Sequence, residues 1–94
     1  MNKVFIEGWV KDLQTQKNDK FGDEVFFNLK TKKIVGAKNK DTVQYDFVPC
    51  HARGKKATNI INNLGEDAKV YLWARMYFDE EGKVSLAIDE IEFL

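Results

Sequence analysis

Five stretches of the chain alternate between apolar and polar positions with a period of two, the pattern of half-buried strands. In "KVFIEGWV" Val4, Ile6, Gly8 and Val10 share one face, opposite Phe5, Glu7, Trp9 and Lys11. In "VFFNLKTKK" Val25, Phe27 and Leu29 oppose Phe26, Asn28, Lys30 and Lys32. "TVQYDFVPCHA" sets Val48, Cys50 and Ala52 against Tyr45, Phe47 and His51, with Arg53 following on the latter parity. Its Pro49, the only proline, cannot donate to a ladder, which predicts an edge or a bulge there. "VYLWARMYF" separates a Leu72, Ala74, Met76, Phe78 row from a Trp73, Arg75, Tyr77 row. "VSLAIDEIEFL" closes the chain after the turn "DEEGK".

Between these runs the pattern changes. "KDLQTQKNDKFGDE" is polar and reads as a loop closed by a Phe21-Gly22-Asp23 turn, and the basic "IVGAKNKD" reads as a hairpin loop. In "GKKATNIINNLGED", Ala57, Ile60, Ile61 and Leu64 recur at helical spacing, and Gly65 stands where a left-handed C-terminal cap is expected. A helix of two to three turns depends on packing rather than propensity. The predicted order is three strands, one short helix, then two strands. That is the order of the OB-fold, a five-stranded Greek-key barrel with a helix between strands 3 and 4. Other small arrangements of five strands and a helix share it. A chain of 94 residues holds one such domain, spanning 1–94.

A small barrel needs only one face of each strand for its interior. Val4, Ile6 and Val10, Val25, Phe27 and Leu29, Val48, Cys50 and Ala52, and Leu72, Ala74 and Met76 are assigned to it. The opposite parity then collects Trp9, Lys11, Phe26, Asn28, Lys30, Lys32, Tyr45, Phe47, His51, Arg53, Trp73, Arg75 and Tyr77. Rings interleaved with cations suit single-stranded nucleic acid, because rings stack on unpaired bases and cations follow the phosphates. Trp73, Arg75 and Tyr77 are expected to hold two stacked bases with a phosphate between. A single outward ring also packs well under a loop or in a subunit interface, and Phe5 and Phe26 are read as fillers of that kind.

Charge sharpens this only locally. The net charge is zero, but residues 1–65 carry 12 Lys or Arg against 7 Asp or Glu, and residues 66–94 carry 3 against 8. One cysteine excludes an internal disulfide and a cysteine-based metal cluster. His51 and Cys50 are adjacent and so point to opposite faces of a strand, and no second histidine completes an acid–base pair. No enzyme activity and no cofactor are expected. Without a leader or long apolar run, the expectation is a soluble, cytoplasmic protein with no membrane partner.

The ordered series of strands resembles the bacterial single-stranded DNA-binding protein family over nearly the full length. "MNKVFIEGWV" is similar to that family's opening strand. "YDFVPCHARGKKATNIINNLGEDAKVYL" is similar to its third strand, Gly-Lys turn, helix and fourth-strand start, and "DEIEFL" to its closing strand. The resemblance implies sequence-tolerant binding of single-stranded DNA in replication or recombination, and a homo-oligomer, dimer or tetramer. It also implies roles for residues. Phe47 falls where the family stacks a tryptophan, and Lys55 follows Gly54 as family lysines do. Arg53 stands in place of a stacking phenylalanine. The "DEEGK" hairpin is short and acidic where the family's is long and basic, so less DNA is expected per subunit. The family continues into an acidic recruiting tail, whereas this sequence stops at Leu94 and "DEIEFL" reads as the end of the fifth strand. A compact form of that kind is expected from a phage, a plasmid or a primosome-type relative.

Two other readings remain open on sequence. "VFIEGWV" with "GDEVFFNL" is also similar to the anticodon-binding OB domains of class II aminoacyl-tRNA synthetases, whose target would be an RNA loop. The zero net charge and acidic last third also fit a protein-interaction OB module without nucleic-acid activity.

Overall fold

The computed structural model describes residues 2–17, 20, 22–32 and 44–94. The basic stretch at 34–41 and Phe21 of the predicted turn lie outside the described residues. The elements follow the predicted order: β1 (Val4–Gln16), β2 (Glu24–Lys32), β3 (Tyr45–Arg53), α1 (Lys55–Asn63), β4 (Lys69–Phe78) and β5 (Val84–Phe93). The strands close into a barrel in the order β1-β2-β3-β5-β4. All pairs are antiparallel except β3 with β5, which meet in parallel at Cys50–Leu86 and His51–Ala87 alone. This is the OB-fold.

β1 serves two neighbours. Its first half pairs with β4, from Val4 opposite Ala74 to Trp9 opposite Lys69, and its second half pairs with β2 from Trp9 opposite Lys30 onward. Gly8 stands at the changeover, where a Cβ would lie 2.4 Å from the Lys30 carbonyl oxygen. Only glycine lets the two backbones approach so closely.

The polar stretch after Lys11 is strand, not loop: β1 runs on to Gln16. Between Lys11–Asn28 and Gln14–Phe26 the register shifts, so that Asp12 and Leu13 face Phe27 alone. This β-bulge bends the strand around the barrel, with Asp12 at φ 57. Its amides donate to one carboxylate, Asp12 N to Glu66 Oε2 at 3.2 Å and Leu13 N to Glu66 Oε1 at 3.0 Å. A period-two reading cannot follow a strand through an extra residue, which is why this half of β1 passed for a loop.

The barrel interior holds Val10, Val25, Phe27, Leu29, Cys50, Ala52, Val70, Leu72, Ala74, Leu86 and Ile88. Ala57, Ile60 and Leu64 of the helical segment join them, as α1 packs against β2, β3 and β5. Met76, assigned to the interior, and Phe78, the next residue of its row, are not inside. Both are exposed, the latter at 66%. The pairing of β4 with β1 stops at Ala74, and beyond it β4 pairs only with β5 as a two-stranded arm. Their row therefore has no opposing wall.

Pro49 continues the β2 ladder opposite Asn28 and stands one residue before β3 meets its second partner. It occupies an edge, as predicted, without a bulge. The left-handed cap predicted at Gly65 is absent. Leu64 leaves α1 in extended backbone (φ −114, ψ 138), which carries its side chain into the core, and its N–H donates to the Ile60 carbonyl at 2.8 Å. The positive φ falls instead on Asp67, inside the turn closed by Ala68 N to Gly65 O at 3.2 Å. At the helix start Gly54 (φ 68, ψ −138) takes backbone that glycine alone adopts readily. "DEIEF" completes β5. No helix among the described residues is long and apolar enough to cross a membrane.

Candidate nucleic-acid interface

The outward parity of β1, β2 and β3 forms a series of cross-strand rows. Lys69, Trp9, Lys30 and Phe47 make one row across β4, β1, β2 and β3. On one side of it Lys32 stands opposite Tyr45. On the other side follow Lys11–Asn28–Pro49, then Gln14–Phe26–His51, then Gln16–Glu24–Arg53. Successive rows on one face are two residues apart, roughly 7 Å, except where the bulge adds a residue on β1. Cross-strand pairing thus brings Trp9, Lys11, Asn28, Lys30, Lys32, Phe47 and Arg53 onto one continuous surface.

The centre of that surface is a set of rings contacted by cations. Lys30 Nζ lies 4.2 Å from the centre of the Tyr45 ring, and Lys69 Nζ lies 5.6 Å from the Trp9 ring. Trp9 and Tyr45 meet edge to face at 6.2 Å. Phe47 is 57% exposed and leaves its ring to solvent. Among the described residues, no carboxylate forms an ion pair with Lys30, Lys32, Lys55 or Lys69. Their charge is therefore available to an external anion. Lys69 was missed on sequence, although it shares the outward parity of Trp73 at the start of β4.

The other cations of this surface are already engaged. Lys11 is bonded to Asp67, and that hydrogen bond holds its ammonium pKa above the ordinary lysine value. Arg53 pairs with Glu24 at 3.2 Å and donates from Nε to His51 Nε2 at 3.2 Å. His51 stacks on Phe26 at 4.7 Å and 26°. Burial, then the nearby Arg53 charge, lowers its pKa, with Glu24 opposing, so the neutral imidazole accepts the Arg53 bond. Within the chain Phe26 and Phe5 are not covered by a loop or the helix: both are exposed, each against another ring. Lys55 opens α1 just beyond the Arg53 end of the face.

Trp73, Arg75 and Tyr77 lie apart from this set. Trp73 pairs across the strands with Phe5, four residues along β1 from Trp9 and so roughly 13 Å away. Its ring packs on Phe5 at 5.0 Å, and Phe5 meets Tyr71 at 5.8 Å. Arg75 is held by Asp89, its Nε donating to Oδ1 at 3.0 Å and Oδ2 at 3.2 Å, and Lys56 shares that carboxylate at 3.8 Å. Tyr77 stands on the protruding arm opposite Ser85. A groove of about 680 Å³ runs between Phe5, Trp73, Lys56, Asp89 and Glu90, and a second of about 420 Å³ adjoins it at Glu92. These grooves combine rings with carboxylates, whereas the row of Lys69, Trp9, Lys30 and Phe47 combines rings with cations. Sequence parity placed Trp73 outward, but the acidic side chains of β5 beside it became visible only through the pairing.

Cys50 points into the barrel, where burial pushes its thiol up to about 12. Among the described residues, no group of three or more His, Cys, Asp or Glu side chains is placed to hold a metal ion.

No family model matches the chain, and no curated protein matches it. Among solved structures, that of the protein PriB from Ralstonia solanacearum is similar, with a TM-score of 0.74 over 99% of this chain and 97% of that one. The two sequences are 7% identical. At that identity the likeness shows the fold alone.

Proposed function

We propose that this OB-fold domain binds single-stranded DNA with little sequence preference, through stacking on the β1–β2–β3 face and lysine contacts to phosphates. One observation carries the reading: Lys69, Trp9, Lys30 and Phe47 stand in one row, with Lys32 and Tyr45 beside them and, among the described residues, no carboxylate paired to the three lysines. A strand of nucleotides laid across the row meets a ring and a cation at each step. Stacking contributes about 1–3 kcal/mol per base, whichever base it is. A place in replication or recombination, in a phage, plasmid or primosome-type system, and assembly into a dimer or tetramer are part of the same proposal. They rest on the family resemblance.

The test uses a chain with one indole. Trp73→Phe leaves Trp9 as the only tryptophan, and its fluorescence is titrated with a dT oligomer at low salt. Quenching is expected, and Phe47→Ala is expected to weaken binding by about fivefold or more. An unchanged signal at low salt would remove the reading. A structured RNA loop bound far more tightly than dT would favour anticodon-type recognition instead.

A second reading, a protein-interaction module, is favoured by the other surface. There Trp73 and Phe5 stand among Asp89, Glu90 and Glu92, and Arg75 is neutralised by Asp89. Full DNA binding in Trp73→Ala would assign that surface to something other than the nucleic acid.

A further inference from the structure

We propose that the groove between Asp12, Asn28 and Phe26 is a guanine-selective subsite set into the otherwise sequence-tolerant face. The proposal rests on the nucleic-acid reading of that face and concerns one position of the bound strand.

The groove, of about 210 Å³, is lined by Asp12, Gln14, Phe26, Asn28 and Pro49, with Phe27 and Cys50 beneath. It lies one row from Trp9, Lys30 and Phe47, where the next nucleotide of a strand stacked on that row would fall. Phe26 supplies an exposed ring and Pro49 an apolar wall, and the volume suits one planar base.

Its polar group is held in place by several contacts. Asp12 sits in the β-bulge at φ 57, a conformation that Asp and Asn tolerate better than most other side chains. The two Glu66 oxygens take the bulge amides and fix the backbone on either side of the Asp12 side chain. Asn28 Nδ2 donates to Asp12 Oδ2 at 3.1 Å and turns the carboxylate across β2 toward the groove. The opposite oxygen and the remaining lone pairs can accept further hydrogen bonds.

A carboxylate accepts and does not donate, so its ligand must present donors. It repels a phosphate, which leaves a base edge as the fitting group. On the Watson–Crick edge guanine sets two donors side by side, N1–H and the N2 amino group. Adenine and cytosine set one donor beside an acceptor, and thymine sets its donor between two acceptors. Each of those places a lone pair against the carboxylate, a repulsive element of the kind that creates specificity. Guanine alone makes two bonds, both charge-assisted.

The experiment measures binding of the full chain to fluorescently labelled dT oligomers that carry one guanine, adenine, cytosine or inosine at the centre. The guanine oligomer is expected to bind about fivefold to tenfold tighter than those with adenine or cytosine. Inosine, which lacks the N2 amino group, is expected to lose most of the gain. Asp12→Asn keeps a residue that tolerates positive φ, and it is expected to bring guanine level with adenine and cytosine. Should that variant fail to fold, Asn28→Ala frees the carboxylate from its alignment and is expected to reduce the same preference. Equal binding of all oligomers, or a guanine preference that survives Asp12→Asn, would overturn the subsite while leaving the stacking face intact. Failure to bind any oligomer would overturn both.

Discussion

Lys30→Ala and Arg75→Ala each remove one positive charge from an outward row, yet the structure separates their consequences. Lys30 has no carboxylate partner among the described residues and sits at the centre of the Trp9–Phe47 row. Arg75 is bonded to both oxygens of Asp89, so its charge is cancelled before any ligand arrives. Each phosphate neutralised on a single strand contributes about −0.7 to the slope of log K against log salt. With Lys30, Lys32 and Lys69 each meeting one phosphate, the slope is about −2.1, and Lys30→Ala brings it to about −1.4. Between 50 and 200 mM salt the unaltered chain then loses about 18-fold in affinity and Lys30→Ala about 7-fold, from the same relation. Arg75→Ala is expected to keep the slope of the unaltered chain. Fluorescence titrations of a dT oligomer at four salt concentrations supply all three slopes. A slope lowered as much by Arg75→Ala as by Lys30→Ala, or left unchanged by Lys30→Ala, would refute this separation of the two cations.

Further consequences concern the frame that presents this face. Gly8→Ala puts a Cβ against the Lys30 carbonyl and is expected to cost about 2–3 kcal/mol, as overpacking does, seen as a lower midpoint of thermal or urea unfolding. Unchanged unfolding would mean that β1 and β2 separate at their changeover. The Cys50 thiol, with its pKa pushed up to about 12 by burial, is expected to resist alkylation by iodoacetamide at pH 8 until denaturant is added. Rapid labelling of the folded chain would contradict the barrel packing. His51 has its pKa lowered in the fold, chiefly by burial, so the unfolded chain binds the proton more readily. Its contribution to stability is present above the ordinary histidine value of 6.5 and is lost as pH falls through the lower folded value. His51→Gln is expected to flatten that part of the stability profile, measured by urea unfolding between pH 7.5 and 5.

The element order and most of the core were legible because a period-two pattern says which side of a strand is inside. Val10, Val25, Leu29, Ala52 and Leu72 occupy the barrel for that reason. The pattern carries no information about how far the wall extends, so Met76, apolar and correctly spaced, was placed in a core that ends at Ala74. It also breaks at a bulge: Asp12 and Leu13 shift β1 by one residue, and the polar half of the strand looked like a loop. For the candidate site, parity identified the outward residues, but pairing decides which of them are neighbours. Trp9, Lys30 and Phe47, far apart in sequence, share a row, whereas Arg75 faces a carboxylate that β5 supplies. Charge pairing of this kind depends on strand order and register, neither of which is written along a single strand.

The most direct test of the central claim is a map of amide chemical-shift changes when a dT oligomer is added to the isotopically labelled chain. The shifts are expected to concentrate on Trp9, Asn28, Lys30, Lys32, Tyr45, Phe47 and Lys69, with Trp73, Arg75 and Glu90 little affected. Shifts centred on the Trp73–Asp89 groove, or none at all, would contradict the assignment of the β1–β2–β3 face to nucleic acid.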